Sequence, residues 1–142
     1  MTAIWKRPVS VEMLTKIHLN TTVAHLGIEF LEVGDDFIRA RAPVDARTRQ
    51  PVGILHGGIS VLVAEMLGSC GAACASPPGH RAVGVEINAN HLRAKRDGVV
   101  TAVASPVHIG RRTQVWEVRI TDEDGKLVCV SRCTLAVVPA SG

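Results

Sequence analysis

Between Gln50 and Gly79 the chain carries a single formal charge, Glu65. Around it runs an almost unbroken apolar stretch, Gly57 to Ser76, built of Val, Leu, Ala and other small residues. Such a stretch is long enough to span a bilayer, but a carboxyl near its centre is costly in lipid. The alternative is a core helix that the rest of the chain must wrap, stopped by Pro77-Pro78-Gly79.

The remaining chain supplies strands for the wrapping. Ser10 is placed to cap a first helix from Val11 to about Asn20, and Thr21-Thr22 to start a short turn ended by Gly27. Ile28–Val33 and Phe37–Val44 flank the turn Gly34-Asp35-Asp36 and read as a hairpin. Pro43–Leu55 is a polar loop. After the long helix come strands at Ala82–Leu92, Val99–Ile109, Thr113–Thr121 and Leu127–Val138, with a turn at Asp122–Gly125. In the third of these, Trp116, Val118 and Ile120 share one face and Val115, Glu117 and Arg119 the other, so the sheet has an apolar side. The order predicts an α+β chain, an antiparallel sheet wrapped around one long central helix. No linker, repeat or charge run divides residues 1–142, and one domain is expected.

Composition narrows the function. Two Trp, two Phe and no Tyr cannot build the stacking platform of a single-stranded nucleic-acid binder. A net charge of +3 is too mild to indicate nucleic-acid binding, but it suits a small anionic ligand. The N-terminus lacks the apolar core of a secretory signal. The four cysteines include no Cys-x-x-Cys pair. Cys129 and Cys133 lie roughly 13 Å apart along a strand, too far to bridge. Reduced, mostly buried thiols in a cytoplasmic protein are therefore expected, with no membrane and no nucleic acid among its partners.

Glu65 is the strongest chemical clue. A carboxylate on an apolar helix is either a buried group satisfied by a local partner or a base or nucleophile kept dry for reactivity. His56-Gly57-Gly58 is the second clue. The first N–H groups of a helix lack intrahelical partners and sit at the positive end of its dipole, where an oxyanion or polarised carbonyl is stabilised. The bland alternative is a flexible helix entry capped by His56. Ser69 lies one turn after Glu65 and can meet a substrate or bond back to the helix. Gln50 can position a carbonyl or a water, or be an ordinary loop side chain. Gly57 and Glu65 are separated by roughly 12 Å along the helix, so one small carbonyl cannot touch both in the same subunit. Two antiparallel copies of the helix about a twofold axis would bring Gly57 of one chain toward Glu65 of the other, which predicts a site shared between subunits.

Other chemistries find little support. Gly58-Ile59-Ser60-Val61-Leu62 is not a nucleophile elbow. The six histidines have no zinc-site spacing, and no phosphate-binding or dinucleotide loop is present. Arg93, Lys95, Arg96, Arg111 and Arg112 cluster at strand ends, where they form a solvated rim or meet the phosphates of a bulky anion.

Together these residues resemble the hotdog-fold thioesterases, in the branch that includes the 1,4-dihydroxy-2-naphthoyl-CoA and enterobactin-pathway proofreading thioesterases. The resemblance covers nearly the whole chain. It runs from Ile4-Trp5-Lys6-Arg7 through Pro43–Pro51, Gly53–Gly58 with Ala64-Glu65 and Gly68-Ser69, to Val83–His91 and His108–Arg111. It implies dimers that assemble to homotetramers, and hydrolysis of an acyl-CoA without metal or organic cofactor. It implies that Glu65 attacks the thioester or activates water, that the Gly57 N–H polarises the carbonyl, and that Gln50 and His56 help hold thioester or water. Ser69 and His91 match positions that contact the acyl group. Arg93 and Arg111 remain, from their charge alone, candidates for the phosphates of the substrate. An acyl carrier protein thioester is the other possible substrate. A hotdog hydratase or dehydratase that uses His56 with Glu65, and a non-catalytic acyl-CoA sensor, are the competing readings.

Overall fold

Among the described residues nine elements follow one another: α1 (Val11–Ile17), α2 (Thr22–His25), β1 (Glu29–Val33), β2 (Ile38–Pro43), α3 (Gly57–Ala75), β3 (His80–His91), β4 (Val99–Ile109), β5 (Thr113–Thr121) and β6 (Leu127–Pro139). The structure is a computed structural model and describes residues 2–141. The six strands form one sheet in the order β1-β2-β4-β5-β6-β3. Every pairing is antiparallel. The sheet curls around α3, the arrangement that the hotdog resemblance implies.

Local chemistry sets the boundaries. The Ser10 hydroxyl accepts the Met13 N–H at 3.1 Å and starts α1. The helix ends at Ile17, short of the expected Asn20, because Asn20 takes a left-handed φ of 59° that a right-handed helix cannot continue through. Pro106 sits inside β4 and donates no backbone hydrogen bond, and the β4–β5 register shifts beside it, between Pro106 and His108.

The core lies between α3 and the inner face of the sheet. Trp116, Val118 and Ile120 of β5 are fully buried there. Trp116 stacks on Trp5 with ring centroids 6.2 Å apart. Its Nε1–H donates to Gln114 Oε1 at 2.8 Å. Gln114 Nε2 in turn donates to Ser76 Oγ at 3.1 Å and to the Ala72 carbonyl at 3.3 Å. This buried network fastens the C-terminal turn of α3 to β5. The small residues of α3 set how close helix and sheet come. A Cβ on Gly71 would lie 2.6 Å from the Trp116 ring, and one on Gly68 3.1 Å from Cys133 Cβ. All four cysteines are buried and free.

Two surfaces of the chain are left uncovered. First, α3 is not enclosed on all sides, as its apolar sequence predicts. It is long and apolar enough to cross a membrane, but its buried side faces the sheet. Gly58, Val61, Leu62, Glu65, Ser69 and Ala73 share one side of the helix and form a stripe that its own chain does not fully cover. Second, β3 is an edge strand of 12 residues. Val85 on it is 66% exposed and Val83 42%. The opposite edge, β1, has only five residues, and its Glu29 and Glu32 pair with Arg41 and Arg39. Short, charged edges resist further pairing, whereas long apolar ones invite it.

Candidate active site

The loop before α3 is shaped by Thr48, which is buried. Its hydroxyl donates to the Pro43 carbonyl at 2.8 Å and accepts the Asp45 N–H at 3.0 Å. Its own carbonyl accepts the His56 N–H at 2.8 Å. One residue therefore references both the loop that carries Gln50 and the start of α3 to the end of β2. Gln50 accepts the Gly53 N–H on its carbonyl at 2.9 Å, and its Oε1 accepts the Val52 N–H. The Gln50 side-chain Nε2 has no protein acceptor among the described residues and is available to a ligand.

His56 is the N-cap of α3, and its Nδ1 accepts the Gly58 N–H at 2.8 Å. In the neutral ring that contact puts the proton on Nε2. The neighbouring Gly57 N–H has no protein acceptor among the described residues. His91, at the end of β3, lies against this glycine: a Cβ on Gly57 would stand 3.0 Å from His91 Nε2. Gln50, Leu55, Gly57, Ser60, His91 and Arg93 line one cavity of about 420 Å³. The far wall, residues 92–98, is clamped from outside. Lys95 pairs with Glu123 at 2.7 Å, and Glu123 Oε2 also accepts the Val99 N–H at 3.1 Å. Those two bonds hold the Glu123 carboxyl at a pKa of about 2.

Glu65 is not in this cavity, and it is not dry. Its side chain is exposed in the single chain, contrary to the buried carboxylate its sequence context predicts. The reason is its place on the uncovered stripe of α3, where it leans over β3. A Cβ on Gly84 would lie 3.3 Å from Glu65 Oε1. Ser69 follows on the same stripe, half-buried. The structure thus brings Gln50, Gly57, His91 and Arg93 together and puts Glu65 and Ser69 elsewhere along α3. Arg111 is apart from both groups. It lines a separate cavity with His80, Arg112 and Pro139, at the other end of β3 from His91. Sequence reasoning missed Thr48, Ser60 and the Lys95–Glu123 clamp. Asp45-x-x-Thr48 after a proline carried a turn signal; the clamp carried none, because its partners are distant in sequence.

Residues 52–129 match the thioesterase superfamily. The chain is 46% identical to the 1,4-dihydroxy-2-naphthoyl-CoA hydrolase of Escherichia coli, over 95% of this chain and 99% of that protein. The chain belongs to the thioesterase superfamily. It is 47% identical to the proofreading thioesterase EntH of Cronobacter turicensis, over 95% of this chain and 98% of the relative. Among solved structures, a thioesterase from Haemophilus influenzae superposes with a TM-score of 0.94 at 47% identity, over 98% of this chain and 97% of that one. A mutant thioesterase from Pseudomonas aeruginosa gives 0.93 at 44% identity, over 96% and 99%. The chain is a thioester hydrolase of the hotdog fold.

Proposed function

We propose that this thioesterase hydrolyses acyl-CoA esters at a site completed by two copies of the chain. Gln50, Gly57, His56 and His91 come from one copy, and Glu65 and Ser69 from the other. One observation carries the reading. The Gly57 N–H, without an acceptor, opens on a cavity at one end of β3, while Glu65, the one charged group of α3, leans over the middle of that same edge strand. If β3 of a second copy adds antiparallel to this edge, the strand continues the sheet and its two long, apolar β3 edges cover one another. The α3 helices then lie antiparallel across the twofold axis, and each Gly57 gains a Glu65 from the other chain. A homodimer is the smallest unit that forms such a site, and two dimers can make a homotetramer.

The chemistry follows from the parts. The thioester carbonyl oxygen accepts from the Gly57 N–H at the positive end of α3, which stabilises the developing oxyanion. Glu65 of the second copy either attacks the carbonyl carbon, giving an anhydride that water then cleaves, or removes a proton from the attacking water. Either way the C–S bond breaks, CoA leaves as its thiol and the acid is released. Gln50 Nε2, on the cavity wall, and His56 Nε2–H, on the adjoining turn, are the donors assigned to hold thioester or water. His56 Nδ1 is engaged in capping α3, which disfavours the proton-shuttling role a hydratase would ask of this ring. Aromatic acyl groups and medium-length fatty chains are the substrates proposed, in the cytoplasm, with no cofactor.

The test is thiol release from a panel of aroyl-CoA and fatty acyl-CoA esters, for wild type and Glu65→Ala side by side. Turnover by wild type and its loss in the variant, by roughly a thousandfold or more, is expected. Turnover in Glu65→Ala near the wild-type rate refutes the assignment. Glu65 makes no ion pair within its own chain among the described residues, so the variant keeps the fold of the single chain.

A further inference from the structure

His18, just past the end of α1, is held from three sides. Its Nδ1–H donates to the Leu14 carbonyl at 2.7 Å. A carbonyl only accepts, so in the neutral ring the proton is on Nδ1 and Nε2 carries a bare lone pair. That Nε2 faces the Cys70 sulfur of α3 at 3.9 Å. The ring also lies tilted against Phe30 of β1, with centroids 5.1 Å apart. His18 then lines a mostly apolar cavity of about 240 Å³, with Leu19, Val23, Ala24, Ile28 and Phe30. Cys70 meets the ring but does not line that cavity. The imidazole therefore stands as a wall between α3 and an apolar space enclosed by α1, α2 and β1.

The same wall borders the stripe that carries Glu65. Cys70 follows Ser69 directly and lies three residues before Ala73, and both of those are on the stripe. Beyond Glu65 the stripe carries only these small side chains, so an acyl group has room along the helix as far as His18. Cys70 is about 7.5 Å further along the axis than Glu65, the reach of an aromatic ring or a short alkyl chain. We propose that His18 is a specificity-determining residue: supplied by the copy that lends Glu65, its ring ends the acyl pocket and shuts the substrate out of the cavity behind. This rests on the acyl-CoA reading above and deepens it. The substrates are compact acyl groups, aromatic rings and short chains, and long fatty chains are refused. A fixed ring sets a sharp limit. Each methylene that enters an apolar space is worth up to about fourfold in kcat/KM, and one that meets a wall gains nothing.

The experiment measures kcat/KM for straight-chain esters from hexanoyl-CoA to dodecanoyl-CoA, each below its micelle concentration. In wild type the values level off or fall with length. In His18→Ala the ratio of dodecanoyl-CoA to hexanoyl-CoA rises roughly tenfold or more, as the tail enters the cavity behind. His18→Phe keeps a ring in place and keeps the wild-type ratio. A ratio unchanged in His18→Ala, or raised equally in His18→Phe, overturns the proposal. If His18→Ala fails to fold, wild type decides: kcat/KM that climbs steadily through dodecanoyl-CoA shows that no wall exists. Mixed dimers test which chain supplies the ring. A wild-type subunit paired with a Glu65→Ala/His18→Ala subunit has one live site, whose Glu65 belongs to the wild-type chain. A wild-type length preference there puts His18 on the chain that lends Glu65. A raised preference for dodecanoyl-CoA puts it on the Gly57 chain and refutes this arrangement. Turnover that survives Glu65→Ala sinks the acyl-CoA mechanism itself. Turnover lost in Glu65→Ala, with the length ratio unmoved in His18→Ala, sinks only the length limit.

Discussion

Gln114→Leu tests the buried polar network that ties α3 to the sheet. Gln114 Oε1 is the acceptor for the Trp116 indole N–H at 2.8 Å, and Trp116 is fully buried. The leucine leaves that N–H without a partner and without water, a cost of about 1–3 kcal/mol. The other end of the network survives, because Ser76 Oγ still donates to the Ala72 carbonyl at 2.7 Å. A single orphaned group therefore sets the loss, and about 2 kcal/mol is expected. Trp116→Phe removes the donor instead, adding a cavity term and stranding the Gln114 oxygen. In the double variant both polar groups are gone, so the two losses do not add. A coupling of about 1–2 kcal/mol should emerge from the four-protein cycle. Guanidinium unfolding followed by far-UV circular dichroism measures it, at one fixed protein concentration because the dimer proposed above would make stability depend on concentration. Losses that add to within about 0.5 kcal/mol would show that the bond contributes nothing and refute the argument.

Gly57→Ala separates site geometry from fold. Its Cβ stands 3.0 Å from His91 Nε2, so the ring has to shift by a few tenths of an ångström. Activity should fall about tenfold or more, while thermal melting rises or stays put, since alanine favours a helix by up to about 1 kcal/mol over glycine; activity retained with His91 displaced in a crystal structure would refute the role of that contact. Glu123→Gln probes the clamp through pH. The Glu123 pKa is lowered from an ordinary 4.5 to about 2, chiefly by the Lys95 hydrogen bond. A lowered carboxyl pKa stabilises the fold above its ordinary value and loses that effect as pH falls toward the folded-state value. Wild type should exceed the variant in stability near neutrality and converge with it between about pH 4.5 and pH 2; a difference independent of pH would rule out the ionised pair as the cause.

The fold was legible because its signals are local. Periodicity marked Trp116, Val118 and Ile120 as one face, and all three are buried. Ser10, Gly27 and Pro77-Pro78-Gly79 punctuate the helices where capping and proline chemistry say they should. The order of strands in the sheet was not legible. β3 runs to the far edge to pair with β6, while β4 enters between β2 and β5, and no periodicity encodes that choice. Arg111 was singled out for its charge, but nothing in the sequence tells that it belongs to a different cavity from Arg93.

Glu65 shows most clearly what one sequence cannot carry. Its neighbours Ala64, Met66 and Leu67 are all buried, and a carboxylate among them reads as buried too. Yet the helix turns 100° per residue, so the residue between two buried ones can face outward. An uncovered carboxylate on a stripe with Val61, Leu62 and Ala73 is still an odd surface for a single chain, since it exposes apolar side chains beside a charge, and a reactive carboxylate there would be open to water. In the dimer proposed above, a second α3 laid across that stripe resolves both problems at once. It covers the apolar residues, and it moves Glu65 from solvent into a partly dry site beside a helix N-terminus. On that proposal a carboxylate kept dry for reactivity is a property of the pair of chains, which would reconcile a sequence context that points to burial with a single chain that does not deliver it.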